Sequence, residues 1–173
     1  MADWPQSRPF DSNVLSVVST RSLTGGINIG APATAAWPLA NRALYIPFRL
    51  NLPFLVAQMW VIVGTSISGS VDLGIYSYDG TRLVSSGIGT PTAINAIYSV
   101  DLNDLQLNPG RYFMAMSNGI VGAFQRHAPG GVALNAMGYF QEASAHPLPA
   151  VAAFAANTTS YLPCMGLTSK STI

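Results

Sequence analysis

The side chains that could transfer protons are few. The only histidines are His127 and His146, each shortly before a proline, and the only glutamate is Glu142. General acid–base catalysis requires a titratable group held against a positioned partner, and glycoside hydrolysis requires two carboxyl groups that flank one bond. The sequence offers no obvious pair of this kind, so it predicts a protein that is not an enzyme.

Metal ligands and reactive thiols are equally sparse. Asp72, Asp79, Asp101 and Asp104 supply carboxylates, but a Ca²⁺ site takes about six to eight oxygens from a dedicated loop. Turn and cap positions account for these aspartates more simply. The single cysteine, Cys164, lies in an apolar run without a nearby Lys or Arg, which is typical of a buried, unreactive thiol. We therefore expect neither a metal nor a cofactor.

Aromatic rings are the remaining candidates for binding, and they form two groups. One group is Tyr76, Tyr78 and Tyr98, and the other is Trp4, Phe10 and Trp37. The tyrosines lie in or beside predicted strands, where exposed rings could stack on sugar rings, so they are predicted to face a glycan. The second group lies in loop-like segments and is predicted to anchor in a neighbouring chain, where buried tryptophan contributes much of the binding energy. Core packing is the simpler alternative for the tyrosines and tryptophans.

The composition indicates that much of the surface of this chain is covered by something other than water. Only 9% of its 173 residues are charged, whereas 49% are hydrophobic, and typical soluble domains contain about 25% charged residues. A free monomer needs surface charge for solubility. The sparse charge therefore indicates either a membrane protein or a protein whose surface is largely covered by neighbours.

The membrane alternative does not fit the length of the apolar segments. The longest run, residues 54–63, is interrupted by Gln58, and a spanning helix needs about 20 apolar residues. The first residues show no basic region followed by an apolar stretch, so we expect no signal peptide. The arginines are scattered singly, whereas nucleic-acid binding requires clustered basic residues. We expect no membrane and no nucleic acid as a partner.

The elements that position these side chains are predicted to be strands. Short runs rich in Val, Ile, Tyr, Phe and Thr alternate with clusters of Gly, Pro, Asn and Asp, as in sandwiches and barrels. Residues 1–40 are irregular and predict an N-terminal arm with a first strand near Val14–Val18. Residues 41–173 are predicted to form one antiparallel β-sandwich domain with an irregular C-terminal tail. Further expected strands include residues 120–125 and 132–140, and residues 150–156 could instead form a short helix.

Two turns give the clearest local predictions. Asp79-Gly80 separates residues 71–78 from 81–87 and favours a two-residue hairpin, because these types adopt the left-handed backbone angles that such a turn needs. Pro109-Gly110 is predicted to turn the chain into a strand over residues 111–117. Alternation in that strand places Tyr112, Met114 and Met116 on one face and Phe113 and Ala115 on the other.

The central segment resembles a β-sandwich module that recurs in structural proteins of tailed bacteriophages. The phrases that carry the resemblance are residues 45–48, 71–76, 79–83, 85–87 and 107–115. Their shared pattern is Gly-Ile-Tyr, Asp-Gly, Ser-Gly, and Pro-Gly-x-Tyr before an alanine-containing strand. The resemblance implies a jelly-roll-like sandwich used as a capsid decoration, head-fibre or tail-associated component of the particle.

The resemblance and the sparse charge together predict a virion structural protein that assembles in the host cytoplasm. We expect it to bind itself, with a trimer as the expected homo-oligomer, and to bind other virion proteins such as the major capsid protein. The alternative is a carbohydrate-binding or receptor-binding module of a phage tail or particle surface, with a surface glycan as its ligand.

Overall fold

Short runs rich in apolar, β-branched and aromatic residues form the strands of this chain, and glycine, proline and asparagine are common in the turns between them. The computed structural model describes residues 31–169 and the backbone of a short strand before them. The strands are β1 (Val14–Ser16), β2 (Ala33–Ala36), β3 (Arg42–Leu50), β4 (Phe54–Ile62), β5 (Val71–Ser77), β6 (Arg82–Ser85), β7 (Ile97–Leu107), β8 (Gly110–Asn118), β9 (Ala123–His127), β10 (Phe140–Glu142), β11 (Ala155–Ala156), β12 (Leu162–Pro163) and β13 (Met165–Ser169). One short helix, α1 (Gly131–Ala136), interrupts them.

The strands form antiparallel sheets that pack as a β-sandwich, so the predicted fold class is confirmed. One sheet has the order β1-β13-β4-β7, and the second has the order β11-β10-β3-β8-β5-β6. A smaller sheet, β12-β9-β2, lies beside them. Strand β4 lies inside its sheet, between β13 and β7.

The main core lies between the inner faces of the two larger sheets. Leu44 and Ile46 of β3 and Met114 of β8 are buried there together with Met59 and Val61 of β4. The alternation predicted for β8 is confirmed, because Tyr112, Met114 and Met116 pack in this core whereas Phe113 and Ala115 pack on the opposite face. Burial of such side chains is the main stabilising term of the sandwich.

A second apolar cluster covers the outer face of the six-stranded sheet. Residues 143–154, here called the strap, cross that face and bring Leu148, Ala152 and Phe154 onto Tyr45, Tyr76 and Phe113. Backbone hydrogen bonds join the strap to the β5–β6 hairpin, from Arg82 to Ala150 and from Ala152 to Gly80. Both faces of this sheet are therefore buried over much of its area.

The structure departs from the sequence predictions at several places. The hairpin forms, but its loop has three residues, because Ser77 pairs with Thr81 and Gly80 takes a positive φ of 91°; this is a type I turn followed by a left-handed residue. Residues 131–136 form a helix rather than part of a strand, and residues 150–156 form no helix. Residues 33–36, which the sequence assigned to the arm, form β2 within the smaller sheet.

Pro47 illustrates how local sequence fits the sheet. It lies in β3 opposite Phe113 of β8, and the pairing of β3 with β10 stops at Tyr45. Proline has no N–H to donate to a neighbouring strand. Pro47 lies just beyond the end of the β10 pairing, where β8 is the described strand neighbour of β3. Among the described residues, no helix has the length and hydropathy that crossing a bilayer would require.

Candidate functional site

The predicted protein-anchoring rings do not form an exposed surface in the described part of the chain. Trp4 and Phe10 lie outside the described residues. Trp37 is 1% exposed and packs edge-on against Phe124 and Tyr161, with ring centroids 5.8 and 5.3 Å away. Its indole N–H donates to the carbonyl of Arg42. Trp37 therefore belongs to the chain's own core, which corrects its assignment as an anchor in a neighbour.

Two of the three predicted glycan-facing tyrosines are also covered. Tyr76 is fully buried under the strap and its hydroxyl donates to the carbonyl of Pro149. Tyr98 is half-buried with its hydroxyl against Gly89, where a Cβ atom would have no room. Burial raises the pKa of both phenols. Tyr76 therefore presents no free face to a ligand, and Tyr98 is partly covered.

Tyr78 is the exposed member of this group. It is 56% exposed at the tip of the β5–β6 hairpin, and its ring stacks in parallel on Phe113 with centroids 5.7 Å apart. The guanidinium carbon of Arg111 lies 5.4 Å from the centre of the Tyr78 ring. This distance is within the range of a cation–π contact, so Tyr78 holds the Arg111 guanidinium as well as facing solvent.

Arg111 and Arg49 form the walls of an open cleft. Arg49 of β3 is the direct cross-strand partner of Arg111 on β8, and both side chains are exposed. The cleft is lined by residues 49–51 and 109–111 and has a volume of about 300 Å³. We call this feature the arginine cleft. Its guanidinium groups and the side-chain amide of Asn51 are hydrogen-bond donors suited to an oxyanion.

The opposite end of the sandwich has a different chemistry. Three loops meet there, residues 64–70, 87–97 and 118–122, which we call the apolar end. Backbone hydrogen bonds join the first loop to each of the others, from Asn95 to Gly64 and from Gly119 to Ser70. Because β3 and β8 run antiparallel from the Arg42–Asn118 pair to the Leu50–Gly110 pair, the arginine cleft lies at the far end of the same strands.

The apolar end exposes large aliphatic side chains and carries no charge. None of residues 64–70, 87–97 and 118–122 is Asp, Glu, Lys or Arg. The exposed side chains are Ile88 at 61%, Ile94 at 52%, Ile97 at 66%, Ile120 at 48% and Val121 at 50%. Single exposed aliphatic residues are ordinary, but several grouped without charge are typical of an interaction surface.

The apolar surface continues onto the outer face of the four-stranded sheet. Ile62 of β4 lies opposite Ile97 of β7, and Trp60 lies opposite Ser99. Met59 and Val61 are buried while Trp60 is half-buried, so Trp60 faces outward, away from the core.

A polar cluster lies beneath the apolar end. Nδ1 of His146 lies 2.9 Å from the hydroxyl of Ser117, and Nε2 lies 2.9 Å from the hydroxyl of Ser70. Burial lowers the pKa of His146, partly opposed by the charge of Asp72. A serine beside a histidine is part of a nucleophilic triad, but here both ring nitrogens bond serines. No ring nitrogen of His146 is therefore left to donate a hydrogen bond to the carboxylate that orients the histidine in a triad.

Asp72 makes other contacts instead. Its carboxylate accepts from the hydroxyl of Ser85 at 2.6 Å and from the backbone amide of Leu148 at 2.9 Å. The cluster therefore ties β5, β6 and the strap together, and its geometry is that of a structural network. Within residues 31–169, no three His, Cys, Asp or Glu side chains are grouped closely enough to hold a metal ion.

The comparisons with known proteins add no relative. No protein-family model matches the chain, and no curated protein matches it. The candidate surfaces are consequently defined by geometry alone, namely the apolar end with Trp60 and the arginine cleft with Tyr78.

Proposed function

We propose that this chain is a bacteriophage virion structural protein, a capsid decoration or head-fibre component that binds other chains by packing of apolar surface. The observation that carries the proposal is the uncharged apolar end with its five exposed aliphatic side chains. Removing such surface from water stabilises an association by about 25 cal/mol per Å². A particle component with this end covered would retain little exposed apolar surface there.

The first partner in this proposal is a second copy of the same chain, followed by other virion proteins such as the major capsid protein. With 9% charged residues, the chain has little charge to keep free copies apart. An uncharged surface also imposes no like-charge repulsion when copies meet. The sandwich, covered on both faces of its larger sheet, supplies a rigid body for such packing.

The test of the interface is the solution mass of the full chain by sedimentation equilibrium. Wild type is expected to form an oligomer, and the double variant Ile97→Asp with Val121→Asp is expected to be a monomer with an unchanged melting temperature. Both positions are at least half exposed in the single chain, so the charges cost little in the folded monomer. Val132→Asp is the matched control, because Val132 is 87% exposed on α1, outside the apolar end.

Two results would contradict the interface. One is a wild-type chain that stays monomeric at every concentration, and the other is a double variant that associates as strongly as the control. The virion assignment has its own test, which is peptide mass spectrometry on density-purified phage particles from the strain that encodes the chain. Its absence from such particles would overturn that assignment.

The alternative function is binding of a surface glycan. One observation favours it, namely that Tyr78 is exposed and holds an arginine at the rim of a cleft. The hydrogen-bond donors of that cleft indicate which class of glycan would bind there.

A further inference from the structure

We infer that the arginine cleft binds an acidic saccharide, with a carboxylate of the sugar lying between Arg49 and Arg111. The described part of the chain contains five arginines. Three donate hydrogen bonds within the fold, Arg42 to Gln141, Arg82 to the Leu148 carbonyl and Arg126 to the Ser160 carbonyl. The guanidinium groups of the other two make no hydrogen bond to a described residue, and these two lie in one cleft.

The register of the sheet places these two like charges side by side. Arg49 and Arg111 are direct cross-strand partners, and like charges in that position repel one another. No carboxylate from residues 31–169 lines the cleft. An oxyanion between the two guanidinium groups would remove the repulsion and accept charge-assisted hydrogen bonds from both.

Tyr78 is a positioning residue for this site. Its ring is fixed by parallel stacking on the buried Phe113, and Arg111 lies over that ring. A guanidinium held on an aromatic face loses less side-chain entropy when it binds a ligand. Tyr78 therefore orients Arg111 toward the cleft, while its own exposed ring edge remains available to a sugar.

The size and placement of the cleft favour a saccharide over a larger anion. A volume of about 300 Å³ is at the small end of ligand pockets. Two arginines do not make the extended basic stripe that nucleic acid requires. Docking through the apolar end would leave the cleft facing outward, since nine-residue strands span about 30 Å. The inference that the ligand comes from outside the particle therefore rests on the proposed function.

The binding experiment uses the purified full chain and matched probes. An oligogalacturonate is compared with its methyl ester, and a sialylated trisaccharide with its neutral parent disaccharide, by titration calorimetry. Inorganic phosphate alone serves as the probe for simple anion binding. At least one acidic saccharide is expected to bind, its neutral counterpart is expected to bind at least about tenfold more weakly, and added salt is expected to weaken binding.

Variants locate the site. Arg49→Gln and Arg111→Gln are each expected to lower the affinity by about tenfold, because each removes roughly one charge-assisted hydrogen bond to the ligand. Tyr78→Phe keeps the ring and is expected to bind normally, whereas Tyr78→Leu is expected to bind less tightly. Arg126→Gln removes a positive charge elsewhere and serves as the control. Circular dichroism verifies that each variant is folded.

Three outcomes would overturn the inference. They are no binding of either acidic saccharide, equal binding of the acidic and neutral members of a pair, and phosphate binding as tight as that of the saccharide. The last outcome would identify a simple anion site only. None of these results bears on the oligomer mass or on the presence of the chain in particles, so the proposed function can fail or succeed separately.

Discussion

The carboxylate of Asp72 accepts a hydrogen bond from the backbone amide of Leu148, which lies 76 residues further along the chain. Asp72 is on β5 and is fully buried, and Leu148 is in the middle of the strap. A buried carboxylate is unfavourable unless its oxygens are hydrogen-bonded. This contact therefore links the position of the strap to β5, the strand next to the edge of the six-stranded sheet.

Removing the Asp72 carboxylate should detach the strap. Asp72→Ala leaves the Leu148 amide and the Ser85 hydroxyl without an acceptor, so we expect the free energy of unfolding to fall by about 3 kcal/mol. Urea denaturation followed by circular dichroism measures this change. Asp101→Ala is the control, because Asp101 is exposed and accepts one backbone hydrogen bond, from Asn103. Equal losses in the two variants would contradict a special role for Asp72.

Trp37 should contribute more to stability than Trp60. Trp37→Phe removes the hydrogen bond to the Arg42 carbonyl and leaves a cavity beside Phe124, so a loss of about 2 kcal/mol is expected. Trp60→Phe changes a half-buried ring on an outer face and is expected to cost less than about 1 kcal/mol. Denaturant titration of both variants compares the two losses. A smaller loss at position 37 than at position 60 would place Trp37 outside the core.

These two tryptophans also show how far the sequence determines the fold. The strands of the central segment follow from alternation and turn residues, because these signals are local. Trp37 is buried because β2 pairs with β9, with Ala35 opposite Phe124. That pairing joins segments far apart in the sequence, and the small residues around Trp37 give no local sign of it.

The candidate surfaces are also only partly predictable from the sequence. The lack of charge in residues 64–70, 87–97 and 118–122 is visible in the sequence, but their meeting at one end depends on the sheet topology. Arg49 and Arg111 read as isolated basic residues until β3 and β8 are placed in register. The turns near residues 51–53 and 108–109 mark the ends of β3 and β8 that carry these arginines. Aligning the two strands at those turns is the signal that could have placed the arginines side by side.

His146 should make stability depend on pH. Burial lowers its pKa below the ordinary value of 6.5, so the unfolded chain binds a proton before the folded chain does. Stability then rises with pH between the folded-state pKa and about 6.5 and is lost as the pH falls through that window. We expect urea midpoints from about pH 5 to pH 8 to show this component in wild type and to lack it in His146→Gln. Parallel profiles for the two proteins would contradict the prediction.

Cys164 should be unreactive while the chain is folded. The thiol is 6% exposed, and burial raises its pKa to about 11, so little thiolate exists near neutral pH and the sulfur is covered. Since the thiolate is the reactive form, a chromogenic disulfide reagent at about pH 8 is expected to label the native protein very slowly and the protein in concentrated guanidinium chloride at once. Cys164→Ser provides the zero-reaction control. Fast labelling of the native chain, at a rate independent of added stabilising osmolyte, would contradict the prediction. It would mean that the link between β12 and β13 that carries Cys164 does not pack against β4 and β9, contrary to its backbone hydrogen bonds with Ile62 and Gln125.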